Sequence, residues 1–253
     1  MTVTKKLVGL AAALVSALAA TVIGLAPGAS AGEVGATATA TITIGTHNTL
    51  HGEATFHNFA GVIGWQEVDS AAARDKMRRQ LGDEYQHYFP EPGPAKAIPI
   101  SWRKSRFELV KAGYKKTHDG EAKVTPARYI TWVILKVKPT GKKFIFINTH
   151  FISGAWNKHP ERQARWLRHY EILYNRVATF RKNHPNKPIF LVGDFNRKKA
   201  MSFPSPVKYV PVEGVSGVPI DQIYCSSTVD HSKVKRLKKW GSDHFAYKMS
   251  TTF

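Results

Sequence analysis

Six times in this chain an apolar run ends and the next residues are an acid, an amide or an imidazole. Asn48 follows "TITIG", Glu67 follows "GVIGW", and Asn148 and His150 sit in "FIFINTH". Asp194 and Asn196 follow "PIFLVG", Asp221 opens "DQIYCS", and Asp243 with His244 precedes "FAYKMST". Asp194 and Asn196 are two apart, as are Asn148 and His150, and alternate residues of an extended segment share a face. Each has an ordinary explanation when taken singly, since an Asp after a strand is usually a turn or capping residue. The mixture is harder to explain that way, because turns have no need of carboxylates, amides and imidazoles together. It suits the cleavage of phosphate esters. Hard oxygen donors hold Mg²⁺ together with a substrate phosphate. Amides orient a phosphate or a water without adding negative charge. A carboxylate raises the basicity of a neighbouring imidazole, which can then pass a proton or bind a phosphoryl oxygen.

Other chemistries lack their residues. There is no HExxH, CxxC, Walker loop or GxSxG elbow, so zinc and covalent serine chemistry are poorly supported. Cys225 is the only cysteine, which rules out an internal disulfide; in the apolar run "IDQIYCSS" it reads as a small buried hydrophobe.

Eight or more strand-like segments must present these groups. They include "TITIGTHN", "GVIGWQEV", "AIPISWR", "FELVKAGY", "RYITWVILKVK", "KKFIFINTHF", "PIFLVGD", "VKYVP", "IDQIYCS" and "FAYKMST". "DSAAARDKMRRQLG" predicts a helix, with Asp69 or Ser70 as N-cap and Gly82 as its stop. A longer helix is predicted from Pro160 to about Lys182, its apolar face formed by Trp166, Tyr170, Leu173, Val177 and Phe180 at spacings of 4, 3, 4 and 3. Strands and helices do not strictly alternate, which argues for mixed sheets flanked by helices. Strand ends on one edge of a sheet lie close together, so the six polar placements are expected to converge.

At the N-terminus Lys5 and Lys6 precede an apolar run from Leu7 to Leu25, and "ASA" at 29–31 supplies small residues at a cleavage point. This predicts a secretory signal peptide over 1–31, a short lead-in over 32–40 and one domain over 41–253, with an uncleaved anchor as the alternative. The mature chain is then expected to be extracellular, monomeric and without stable membrane association. Its charge is high: 37 Lys and Arg against 18 Asp and Glu give +19. With Lys5 and Lys6 removed, 35 cations against 18 acids still leave +17. Such a surface attracts polyanions, whether nucleic acid, anionic lipid or acidic polysaccharide.

"THN", "WQEV", "INTHF", "VGDFN", "IDQIY" and "SDHF", in this order and over residues 40–253, resemble the endonuclease/exonuclease/phosphatase superfamily typified by deoxyribonuclease I, with "NTHFISGAW" and the basic helix after it most similar to secreted bacterial members. The resemblance implies an α/β (α+β) four-layer sandwich, two mixed β-sheets between helices, with the site at one end. It also implies roles. Glu67 would be the principal Mg²⁺ ligand (Mn²⁺ or Ca²⁺ as alternatives), with Asn48 and Asp243 in the metal shell. His244 would be the catalytic imidazole, paired with Asp221, acting as base or as electrostatic clamp. Asp194 and Asn196 would hold the attacking water and the scissile phosphate, and His150 would contact a phosphoryl oxygen or assist the leaving group. Arg128, in "TPARYITW", would be a phosphate-facing cation. One departure is visible. Where deoxyribonuclease I-like members carry a Glu ahead of the strand matching "IPISWRK", this chain has Lys96, with Glu91 the nearest acid, which leaves His150 without its expected carboxylate partner.

The motifs define the reaction better than the substrate. Lys233, Lys235, Arg236, Lys238 and Lys239 run directly ahead of Asp243, and Arg197, Lys198 and Lys199 directly follow Asn196. Such runs are usually solvated faces. Placed beside two motifs, Arg197, Lys198, Lys235 and Lys238 are expected to contact substrate phosphates, which favours a nuclease. A sphingomyelinase-like phospholipid phosphodiesterase or a phosphatase is the alternative, with "FISGAW" the one small candidate for membrane entry. A non-catalytic polyanion-binding protein would have no need of the full motif set. Trp240 reads as an anchor for its loop.

Overall fold

The computed structural model describes residues 38–253 apart from residue 92. The predicted signal peptide lies outside the described residues. Among the described residues thirteen strands form two sheets. The first, of seven strands, contains β1 (Thr41–Asn48), β2 (Val62–Gln66), β3 (Tyr85–Tyr88), β4 (Ile100–Arg103), the short β11 (Asp230–His231) and β12 (Lys235–Arg236), and β13 (Tyr247–Thr252). Their order is β11-β13-β1-β2-β4-β3, with β12 also paired to β13. The second, of six strands, runs β5 (Phe107–His118), β6 (Arg128–Val137), β7 (Lys143–His150), β8 (Ile189–Asp194), β10 (Asp221–Ser226) and β9 (Val207–Tyr209). Both sheets are mixed: β1–β2 and β7–β8 are parallel, the other pairs antiparallel.

Period-2 alternation builds the layers. Along β7, Phe144 and Phe146 pack between the sheets while Ile145 and Ile147 face helix α2 (Gln163–Asn183). β8 repeats the pattern, with Phe190 and Val192 between the sheets and Ile189 and Leu191 against α2. On the far side, Ile63 and Trp65 of β2 pack on helix α1 (Ala71–Leu81) through Ala73, Met77 and Leu81. The result is four layers, helix–sheet–sheet–helix, with apolar runs buried on both faces. Ser70 caps α1, accepting from the Ala73 N–H, and Gly82 closes it at φ 54°.

The sheets approach closely at Gly64. A Cβ at Gly64 of β2 would lie 2.6 Å from Val192 and 2.7 Å from the Asn148 side chain, so only glycine fits there. Asn148 exploits that proximity: its amide donates to the Trp65 and Pro99 carbonyls at 2.8 and 3.1 Å and accepts from Gln66 at 2.7 Å. It is fully buried and ties the two sheets together, a structural role its motif position did not indicate.

Candidate active site

Register brings the polar ends into line. In the six-stranded sheet His150 lies opposite Asp194, and Asp194 opposite Asp221. All three share the parity of Phe146, Val192 and Ile223 and face the other sheet. From that other sheet come Asn48 at the end of β1, Glu67 just past β2, and His244 just before β13.

The Asp194 carboxylate is the meeting point. Its Oδ2 accepts from Asn48 Nδ2 at 3.1 Å and Asn196 Nδ2 at 3.2 Å, and it lies 3.5 Å from His150 Nε2 and 4.0 Å from His244 Nε2. Its Oδ1 accepts from the Asn196 N–H at 2.8 Å. Asn196 makes this turn at φ 49°, a left-handed conformation asparagine tolerates. Its amide also donates to the Phe151 carbonyl, which fixes its orientation. Asp194 is 1% exposed; burial, with the charge of Asp221 beside it, pushes its carboxyl well above the usual range.

His244 Nδ1 hydrogen-bonds Asp221 Oδ2 at 2.7 Å. Burial would push this imidazole down, but the hydrogen bond and the negative charges of Asp221, Asp194 and Asp243 outweigh it and hold His244 at about 10. With Nδ1 committed to Asp221, Nε2 is the face turned toward Asp194. The other Asp221 oxygen, Oδ1, is buried and has no hydrogen-bond partner among the described residues. Ser242 supports the turn: its hydroxyl donates to the Asn48 carbonyl at 2.7 Å and accepts the His244 N–H at 3.0 Å.

Glu67 sits on a left-handed backbone, φ 62°, which costs a non-glycine residue about 1–2 kcal/mol. The kink swings its carboxylate off the α1 side of the sheet, onto Asn48 Nδ2 at 3.0 Å and the His51 N–H at 3.1 Å. Around it lie two groups absent from the predicted set. His51 Nδ1 is 2.6 Å from Asp69 Oδ2, and ligand atoms of His51, Glu67 and Asp69 all lie within 4.8 Å of one another. Of the two caps the sequence offers, Asp69 and Ser70, Ser70 takes the role, which leaves the Asp69 carboxylate free of it. Asn48, expected in the metal shell, lies beside Glu67. Its Oδ1 accepts from the Leu50 N–H, so the amide nitrogen, not the oxygen, faces Glu67. Asn48 therefore braces both Glu67 and Asp194. Asp243 is exposed on the other side of the cluster, 3.8 Å from His244 Nε2.

Where a carboxylate might have met His150, Arg128 stands. Its Nη1 lies 3.4 Å from His150 Nδ1, a long hydrogen bond with arginine as the only available donor. Nδ1 is then the acceptor and Nε2 carries the proton, 3.5 Å from Asp194 and 3.7 Å from Glu67. Burial and the Arg128 charge keep His150 neutral, its pKa far below the ordinary value.

The predicted cations divide. Arg197 and Lys198 lie in a cleft beside Asn196, Arg197 stacked 3.7 Å above Trp156. Lys235 is exposed on β12 opposite Lys248, and Lys238 is exposed on the hairpin leading to Asp243; among the described residues neither is hydrogen-bonded or ion-paired to a site side chain. Trp240 packs against His47, His57 and Phe59, as expected of an anchor.

Comparison with known proteins follows the same lines. The model of the endonuclease/exonuclease/phosphatase family matches residues 45–244. No curated protein matches the chain. Among solved structures, a family protein from Bacteroides thetaiotaomicron superposes with a TM-score of 0.67 at 18% identity, covering 85% of this chain and 99% of that one. The mannosyl-6-phosphatase of the same organism gives 0.65 at 18% identity, covering 84% and 100%. Truncated Caenorhabditis elegans TDP2 gives 0.63 at 17%, covering 83% and 97%.

Proposed function

The chain belongs to the endonuclease/exonuclease/phosphatase family, and from that premise we propose that it is a secreted, metal-dependent nuclease that hydrolyses phosphodiester bonds by in-line attack of water. The observation that carries this reading is the single oxygen, Asp194 Oδ2, ringed by Asn48, Asn196, His150 and His244.

Roles follow from the protonation states the surroundings favour. Asp194 has a carboxylate made basic by burial, and with Asn196 it holds the attacking water and takes its proton. His244, kept charged by Asp221, acts as an imidazolium clamp on a phosphoryl oxygen rather than as the base. His150 offers a neutral Nε2–H to another phosphoryl oxygen or to the leaving group, with Arg128 fixing its tautomer. The donor set fits a divalent cation: carboxylates Glu67 and Asp69 and the His51 imidazole converge on one side, with Asp243 near on the other, and Asp221 Oδ1 is a buried acceptor with no partner among the described residues. Mg²⁺ bound through Glu67 would neutralise charge on the phosphate.

Nucleic acid is favoured over lipid by charge and by the shape of the mouth. The basic groups beside Asn196 suit a polyanionic backbone. The "FISGAW" segment points inward: Phe151, Ile152 and Ala155 are fully buried, and Trp156 lies under Arg197, so it offers no apolar wedge to a membrane. Among the described residues no helix is long and apolar enough to cross a membrane. Secretion is supported by the leader pattern in the sequence.

The test is nicking of supercoiled plasmid with Mg²⁺ and with EDTA, alongside Asp194→Ala and His244→Ala. Nicking should need the metal and fall by about 10²- to 10⁴-fold in each variant. A folded protein that leaves plasmid intact yet releases phosphocholine from sphingomyelin, or inorganic phosphate from a sugar phosphate, would replace the nuclease assignment.

A further inference from the structure

We propose that the cleft beyond Asn196 is a built subsite for the phosphate next to the scissile one, so that the chain reads a run of phosphodiesters and not an isolated phosphate ester; this step rests on the nuclease assignment above. The cleft, about 450 Å³, is lined by Trp156, Asn157, Asn196, Arg197, Lys198 and Lys199 among others. Asn196 is held against Asp194 through both its backbone and side-chain nitrogens, so the cleft starts at the proposed reaction centre.

Arg197 is not a freely solvated cation. Its guanidinium lies 3.7 Å from the Trp156 ring centre and 5.1 Å from that of Trp166, and Trp156 and Trp166 pack edge to face at 5.3 Å. Among the described residues its side chain makes no hydrogen bond and no ion pair, so the planar fork is positioned by stacking while its N–H donors stay available. A guanidinium in that state matches a phosphate's paired oxygens.

The backbone carrying these cations is strutted from below. Gln222 Nε2 donates to the carbonyls of Arg197 at 2.8 Å, Lys199 at 3.3 Å and Pro219 at 3.0 Å. Its Oε1 accepts from the Tyr224 hydroxyl, which in turn accepts the Met201 N–H at 2.8 Å. Gln222 and Tyr224 are fully buried in β10, the strand that opens with Asp221. The loop of cations and the Asp221–His244 pair therefore share one rigid support, which sets the distance between the two phosphates they would hold. Lys runs elsewhere are commonly solvated faces; here the platform and the strut are what distinguish a site.

The test separates binding from hydrolysis. The full chain carrying Asp194→Asn is titrated with a labelled single-stranded oligonucleotide by anisotropy, between about 50 and 200 mM salt. Adding Arg197→Ala, or Lys198→Ala with Lys199→Ala, should lower the salt slope of log K by about 0.7, the loss of one phosphate contact. The lysine pair is exposed, so its removal leaves packing intact even if Arg197→Ala perturbs the Trp156 stack. Lys182→Ala, which removes one charge as Arg197→Ala does but on the last turn of α2, should leave the slope unaltered. Equal losses at Lys182 and in the loop, or no loss in the loop, would overturn the subsite. Plasmid nicking with an unchanged loop slope would remove the subsite alone. A loop-specific slope change in a chain that nicks nothing would keep the subsite and remove the nuclease assignment.

Discussion

At His244 two effects of opposite sign meet, and their balance sets the chemistry. Burial disfavours the charged ring, while the 2.7 Å contact to Asp221 and the neighbouring acids favour it strongly enough to hold the group at about 10. Asp221→Asn keeps the shape and removes the charge, so burial should then dominate. In EDTA-treated protein, the His244 side-chain NMR titration should move from about 10 to below the ordinary 6.5. A midpoint that stayed near 10 would show that Asp221 is not what charges the ring. The sign on stability follows. A raised histidine pKa contributes stability that is complete below 6.5 and is lost as pH climbs through about 10. The variant should lack that alkaline loss. Turnover should fall as well, by about 10²-fold or more, if the imidazolium is the working form.

Helix α2 shows what local spacing reveals and what it hides. Its 4-3-4-3 apolar repeat located the helix, and Trp166, Leu173, Val177 and Phe180 are buried as that repeat requires. The repeat named Tyr170 as the fifth inward residue; that role belongs to His169, and Tyr170 is only partly buried with its hydroxyl on the Ser202 carbonyl. An imidazole can be buried there because two strands supply partners: His169 Nε2 meets the Thr149 hydroxyl at 2.8 Å, Nδ1 meets Thr117 at 3.1 Å, and the ring stacks on Phe151 at 3.9 Å. Neither threonine is near in sequence, so nothing in the helix alone could announce them. The same holds for His51 beside Glu67, for the contact of Arg128 with His150, and for Gln222 beneath the cation loop. The strand-end acids and imidazoles were legible because an apolar run followed by a polar group is a local event, and because one register row joins His150, Asp194 and Asp221. Through Thr149, the residue before His150, His169 ties α2 to the end of β7. His169→Leu fills the space but strands both hydroxyls, and should cost about 1–3 kcal/mol in urea unfolding. Adding Thr149→Val should recover part of that loss, because the orphaned hydroxyl is gone. Strict additivity of the two changes would mean the contact carries no coupling.

Over the whole molecule, buried histidines set the behaviour in acid. Desolvation lowers His47, His87 and His118 to about 4 and takes His150 and His169 well below 6.5, so all five are neutral in the folded chain and charged in the unfolded one below pH 6.5. Asp194 and Asp221 act in the opposite sense, since burial raises both and the folded state holds their protons at a pH where the unfolded state has released them. The five imidazoles outnumber the two carboxylates, so near pH 5 the unfolded chain binds more protons than the folded one, and stability rises with pH wherever that holds. Net charge pushes the same way: a chain already at +19 gains further repulsion as its surface carboxylates neutralise. Thermal melts followed by circular dichroism should therefore show Tm falling steadily from pH 7 to pH 5. His169→Leu should flatten that fall by about one proton even though it lowers Tm at pH 7. A Tm that held constant or rose over this interval would mean that the buried imidazoles are already charged in the fold, and the neutral Nε2–H assigned to His150 would fall with it.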